Sequence, residues 1–351
     1  MTSKERTLAI LNHQPVDRLP FCDCVVNDAV FEHYAGEKLT VENGRRVVLK
    51  AMDNFLDATR WIIMFPQKEE TLNLPDGTII EQRRWTAWHK KKCELTEDDA
   101  VQMLRAETEE EANRDVAKAA QEFDAWIGGN LTQLRHDLKN TFLFGNYWFK
   151  TGVMFYAGIG LELFSYVVAD HPEVLDDYLA IGNRTRLEVI RRSKRAGDFP
   201  AIFMCEDIAS KNGPLFSPEF LRQRFYPYLE QMVDAYHRHG IKFIFHSDGN
   251  LMPVLDDLVA TGIDGLNPLE TIAGVDLKEI RKRYPELVLF GGIDCSQLLP
   301  FGTPDDVRQV TRQAKEDAGP LYFPGSTSEI HNNIPLDNVK AMIETVHAFQ
   351  P

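Results

Sequence analysis

No stretch of about 18 consecutive apolar residues occurs in the 351-residue chain, so no segment of it reads as a membrane-spanning helix. The opening MTSKERTLAILNHQ is amphipathic and of mixed charge. It lacks the apolar core and small-residue cleavage site of a secretory signal, and a cytoplasmic protein is expected. Basic residues are in deficit, 39 against 53 acidic, and the formal net charge of −14 repels nucleic acid and anionic membranes, so neither is an expected partner. Cysteine is sparse: the five, at 22, 24, 93, 205 and 295, make no disulfide framework. The Cys22-Asp23-Cys24 pair would put two thiols on one strand face with no second pair nearby, which favours buried structural thiols over a metal site. Low-complexity runs, internal repeats and Pro/Ser-rich linkers are also missing, so residues 1–351 are expected to form a single domain.

What is present is a rhythm. From about residue 171 onward, amphipathic segments alternate with short apolar runs: AIFMCED, KFIFHSD, GLNPLE, LVLFGGID and LYFPGS as strands, each followed by a helical pattern. Ser217-Pro218 has the chemistry of a helix start, and the helix it opens is expected to run to about residue 238. Continuous rather than alternating apolar strands mean burial on both faces, hence a parallel sheet. No GxGxxG or GxxxxGK[ST] loop follows any strand, which argues against a nucleotide-binding doubly wound sheet and for a (β/α)8 TIM barrel.

The N-terminal half is less regular and adds a helical and hairpin elaboration. Helices are expected at 3–13, 42–54 and near 96–121, and a hairpin around Pro75-Asp76-Gly77 inserted in a barrel loop. Strands are expected in LPFCDCVV, TRWIIMF, AWIGGN and TFLFGN, one more than a barrel of eight requires. Aromatic residues crowd this half: Phe65, Trp85, Trp88, Tyr147, Trp148, Phe149, Phe155 and Tyr156. They serve either as core or as a pocket on which a ring could stack.

In such a barrel the C-terminal strand ends carry the chemistry. Five successive ends deliver Glu206 and Asp207, then His246 and Asp248, Glu270, Asp294 and Cys295, and Ser326 and Thr327. Asp294, Ser326 and Thr327 read equally as caps of the next helix. As a set the rim points to a function, because desolvating so many acidic groups costs free energy unless a cation, a substrate or shared protons offset it. His246 and Asp248 leave one strand end together, Glu270 lies 24 residues beyond His246, and Ser326 lies 80 beyond.

The chain resembles the uroporphyrinogen decarboxylase-like superfamily, in the branch of corrinoid-dependent methyltransferases. The resemblance is carried by TSKERTLAILNHQPVDRLP, by DGTIIEQRRW, by the run GPLFSPEFLRQRFYPYLEQMVDAYHRHGIKFIFHSDGNLMPVLDDLVATGIDGLNPLE, and by GGIDCSQLLPFGTPDDV. An FRQAGRY-type arginine motif is missing, so decarboxylation of uroporphyrinogen is not expected. The resemblance implies a zinc site of the His-x-Cys, Glu and distant Cys kind, matched by His246 and Glu270 but with Asp248 and Ser326 in the thiolate positions.

Harder ligands suit oxygen better than sulfur. The implied reaction is therefore transfer of methyl between a small methyl donor, a methoxylated aromatic being favoured, and a corrinoid. No DxHxxG segment is present, so the corrinoid would be carried by a partner protein. The expected zinc ligands are His246, Asp248, Glu270 and Cys295, the last reading equally as a free cysteine in a loop. His246, Asp248 and Glu206 are the expected catalytic residues. Two alternatives stand beside this: a cofactor-free decarboxylase using His246 and Asp248 as an acid/base pair with Arg83 and Arg84 on substrate carboxylates, and a non-catalytic barrel that docks a corrinoid protein.

Overall fold

In the computed structural model, residues 1–60, 62–75, 77–91, 94–146 and 151–348 are described. All five strands expected in the C-terminal half form: Ala201–Cys205, Lys242–His246, Gly265–Asn267, Val288–Ile293 and Tyr322–Ser326. They pair in parallel in that spatial order, and Gly145–Asn146 adds a sixth strand beside Ala201–Cys205. The Gly145–Asn146 strand continues back through Phe144 to Phe142–Leu143, which pairs with Ala58–Thr59. Ala58 in turn bridges Cys22, and the Cys22 N–H donates to the Pro324 carbonyl at 3.2 Å. Hydrogen bonds thus run from the eighth strand back to the first, giving the expected (β/α)8 barrel.

Four phenylalanines fill its interior. Phe144 lies 5.0 Å from Phe203, its sheet neighbour, and also 5.7 Å from Phe290 and 6.0 Å from Phe323 on the opposite wall, contacts that only a position inside the ring permits. Phe290 and Phe323 stack at 4.4 Å. Burying each ring is worth about 1.5–3 kcal/mol, and together they close the lumen below the strand ends.

Closure depends on a glycine. A Cβ at Gly325 would overlap the Cys22 carbonyl oxygen and crowd Asp23, so the first and eighth strands meet only because residue 325 has no side chain. Gly325→Ala is expected to lower stability by at least about 2 kcal/mol, in the range of core overpacking, measured as a shift in the urea midpoint. An unchanged midpoint would mean that the two strands do not approach this closely.

The ninth expected strand is absent. AWIGGN is helical: Val116–Trp126 runs through a wide turn at Ile127–Leu131 into Thr132–Asp137. Gly128 lies where a Cβ would meet the Arg195 guanidinium, and Thr132 Oγ1 donates to Ile127 O at 2.7 Å to carry the helix on. The expected hairpin forms as part of a three-stranded antiparallel sheet, Glu70–Asn73, Ile79–Gln82 and Ala87–Lys91, although Asp76 of its turn lies outside the described residues. The helix opened by Ser217 is two helices, Pro218–Arg224 and Tyr226–His237, broken at buried Phe225. Among the described residues no helix is long and apolar enough to cross a membrane.

Candidate metal centre

Strand alternation decides which side chains reach the barrel mouth. Phe203 faces the lumen, so residues 205 and 207 share its side. Phe245 packs outward on Phe225 at 5.9 Å, which turns His246 and Asp248 inward. Asp207, His246 and Asp248 consequently offer one ligand atom each within 4.8 Å of one another. Of the described residues, they are the one such group of three or more His, Cys, Asp or Glu side chains.

His246 Nε2 lies 3.6 Å from Asp248 Oδ1, and that oxygen is buried without a hydrogen-bond partner. Burial first, then repulsion from Asp207, Glu270 and Glu329, raises the Asp248 carboxyl to about 7 against the opposing pull of Arg60. Burial and the Arg60 cation push the His246 imidazole down to about 3, with Asn267 opposing, so the ring is neutral at physiological pH. Its Nδ1 lies 2.6 Å from Asn267 Oδ1 and 2.9 Å from Arg60 Nη1. A neutral imidazole, two convergent carboxylates and a buried oxygen lacking a partner suit a divalent cation of the zinc or harder class.

Residues 161–349 match the family model described as Uroporphyrinogen decarboxylase (URO-D). The chain belongs to this family. Within it, a 136-residue stretch is 26% identical to Methylcobamide:CoM methyltransferase MtbA of Methanosarcina acetivorans, covering 39% of each protein. A 138-residue stretch is 28% identical to Uroporphyrinogen decarboxylase of an Anaeromyxobacter species, covering 37% of this chain and 36% of the relative. The chain thus spans well under half the length of the curated relatives it matches. A solved methyltransferase from Methanosarcina mazei superposes over 99% of this chain and 98% of its own, with a TM-score of 0.64 at 20% identity, and shares the fold.

In this family member the expected rim residues divide. His246 and Asp248 come together as expected, but Asp207 and not Glu206 completes the group. Glu206 is fully buried, and both its oxygens are taken by Thr151, through the backbone N–H at 2.5 Å and through the hydroxyl. Glu270 stands beside the cluster, half-buried: burial, Asp207 and Asp294 raise its pKa while the Gly249 N–H opposes them. Cys295 lies elsewhere on the rim, where Thr327 Oγ1 donates to its sulfur at 3.4 Å, and burial raises its thiol. Neither is in the close group.

The alternative cap reading of Asp294 holds, since it accepts from the N–H groups of Ser296, Gln297 and Leu298. Ser326 donates to Asp23 Oδ1 at 2.7 Å and stays away from the cluster. Buried Asp23 sits at about 7, raised by burial against Ser326, Cys24 and Arg60. Cys22 and Cys24 are buried free thiols, as expected, and Cys93 lies outside the described residues.

Arg60 and Asn267 are the residues that sequence reasoning missed. Arg60 follows the second strand, is only 8% exposed, and joins a histidine 186 residues away. An arginine two places after Ala58 on a buried strand was the available signal.

Of the aromatic residues, Phe65, Trp85 and Trp88 line a cavity of about 800 Å³ with Ile63, Met64 and Glu329. Phe155 instead packs on Tyr178, and Tyr156 packs on Phe164 while its hydroxyl donates to the Asp207 carbonyl at 2.6 Å. Tyr147, Trp148 and Phe149 lie outside the described residues. Arg83 is paired with Glu81 and Arg84 with Asp28, so both cations on the cavity wall are already neutralised.

Proposed function

We propose that this chain is a methyltransferase that moves a methyl group between a small methylated substrate, a methoxylated aromatic being favoured, and a corrinoid carried by a separate protein. The observation that carries the reading is the convergence of Asp207, His246 and Asp248 at the mouth of the barrel, with Asp248 Oδ1 buried and without a partner. These three residues would hold zinc, with Glu270 close enough to add its field. When bound, zinc would supply a Lewis acid that polarises the ether oxygen and makes its methyl group easier to remove.

The chain's own residues supply the rest. The apolar and aromatic wall of Ile63, Met64, Phe65, Trp85 and Trp88 would take the ring and keep water from it. Glu329 lines that cavity and acts on the Asp248 carboxyl, which supports a cavity opening beside the cluster. The relationship to a methylcobamide-using methyltransferase supports the corrinoid partner.

Protein purified without added metal is expected to contain stoichiometric zinc. With that zinc it should demethylate a methoxybenzoate only in the presence of reduced cobalamin, followed by the absorbance of methylcobalamin. Demethylation without cobalamin, or turnover undiminished by a strong chelator, would overturn the reading. Chelator-resistant loss of CO2 from a carboxylated substrate would replace it with the metal-free decarboxylase.

A further inference from the structure

We infer that Arg60 and Asn267 compete for Nδ1 of His246 and thereby select the ring's tautomer, Arg60 holding the form that cannot bind metal through Nε2 and Asn267 the form that can. The consequence for metal rests on the zinc reading above; the competition itself rests on the geometry of three side chains.

Arg60 has only donors. Its Nη2 donates to the Ser328 carbonyl at 3.0 Å, and its Nη1 lies 2.9 Å from His246 Nδ1 and 3.5 Å from Asn267 Oδ1. Asn267 Oδ1, an acceptor, lies 2.6 Å from the same Nδ1. One nitrogen of a neutral imidazole either accepts or donates, so the two neighbours cannot both be served.

If Nδ1 is bare it accepts from Arg60, and the proton sits on Nε2, facing Asp248 Oδ1 at 3.6 Å. If Nδ1 carries the proton it donates to Asn267, and the Nε2 lone pair points at the two carboxylates. Arg60 Nη1 then keeps Asn267 Oδ1, 3.5 Å away, as its acceptor, whereas the first form sets a bare Nδ1 against that oxygen at 2.6 Å and requires the Asn267 amide to shift away. Ligation through Nε2 is open only to the second form, and an acceptor on the far nitrogen is the usual device that fixes a metal-binding histidine. Arg60 is thus a positioning residue that opposes loading, and Asn267 is one that favours it.

The test uses the full chain with His246 labelled with ¹⁵N, as wild type, Arg60→Met and Asn267→Ala. Ring tautomers are read from long-range ¹H–¹⁵N correlations, and zinc affinity by competition with a chromophoric chelator. Metal-free wild type is expected in the Nε2–H form and zinc-loaded wild type in the Nδ1–H form. Arg60→Met should show the Nδ1–H form even without metal and bind zinc severalfold more tightly, whereas Asn267→Ala should bind it about 10- to 100-fold more weakly. An Nδ1–H ring in metal-free wild type, or affinities shifted in the same direction by both substitutions, would overturn the inference. If Arg60→Met does not fold, the wild-type and Asn267→Ala spectra still decide the tautomer. If wild type takes up no zinc, the proposed metal function fails on its own, and the metal-free ring spectra still judge the competition.

Discussion

Asp57→Ala is expected to lower stability by about 3–5 kcal/mol, the cost of breaking a buried ion pair from one side. Asp57 is 1% exposed at the start of the second strand. Its carboxylate takes Arg6 Nη1 at 2.7 Å, Arg18 at 2.6 and 2.9 Å, and the Phe21 N–H at 2.9 Å. Its backbone carbonyl accepts from Phe142, so one residue ties the first helix and the first three strands together at the closed end of the barrel. Without the carboxylate, Arg6 keeps Asp17 as a partner, while Arg18 and the Phe21 N–H are left short.

The same residue gives a pH signature. Burial raises the Asp57 pKa, but Arg18 and the Phe21 N–H outweigh it and hold the group below the usual carboxylate value. A depressed native pKa contributes stability that is present above the unfolded value of about 3.9 and is lost as pH falls through the native one. His347, 3.8 Å from Asp57 Oδ2, adds a loss that begins higher, because burial and Arg18 lower its pKa from the usual histidine value. Urea unfolding between pH 7 and pH 3 should therefore show a steep acid limb in wild type and a shallower one in Asp57→Ala. Equal slopes would mean that Asp57 is not ionised and paired in the native state.

His246→Ala is expected to abolish zinc retention, weakening affinity by more than the roughly 100-fold that loss of an outer-shell partner can cost, and methyl transfer should go with it. Asp207→Asn and Asp248→Asn should weaken zinc as well. Cys295→Ser and Glu206→Gln should leave zinc content unchanged, the second costing about 1–3 kcal/mol of stability instead, because its carboxylate oxygens serve Thr151. Elemental analysis beside thermal unfolding separates the two classes. Full zinc in His246→Ala, or zinc lost from Cys295→Ser, would move the metal site elsewhere on the rim.

The outcome at neighbouring residues shows how far a linear reading goes. Strands such as KFIFH and LVLFGGI are apolar along their whole length, and burial on both faces is a local pattern, so the barrel and its rim were legible. The pair His246 and Asp248 was legible for the same reason, because two residues apart on one strand means one face. The choice between Glu206 and Asp207 was not. Both follow the same strand on opposite sides of it, and only the packing of Phe203 on Phe144 inside the ring shows which side faces the lumen. AWIGGN failed for a related reason: its Gly128 makes room for the guanidinium of Arg195, far along the chain, and ends no strand.

By itself the sequence determined the family, the alternation of strand and helix, and the arrival of acidic groups and an imidazole at one end of a parallel barrel. The family rests on the resemblance of particular stretches, while the alternation and the polar rim follow from periodicity and composition, which act between residues close in the chain. Tertiary structure alone decided that Asp207 joins the cluster, that Cys295 and Ser326 stay out of it, and that Arg60 and Asn267 meet on one nitrogen of His246. Those meetings join strands far apart in sequence, and only the closing of the ring, through contacts as tight as that at Gly325, brings their ends within hydrogen-bond reach.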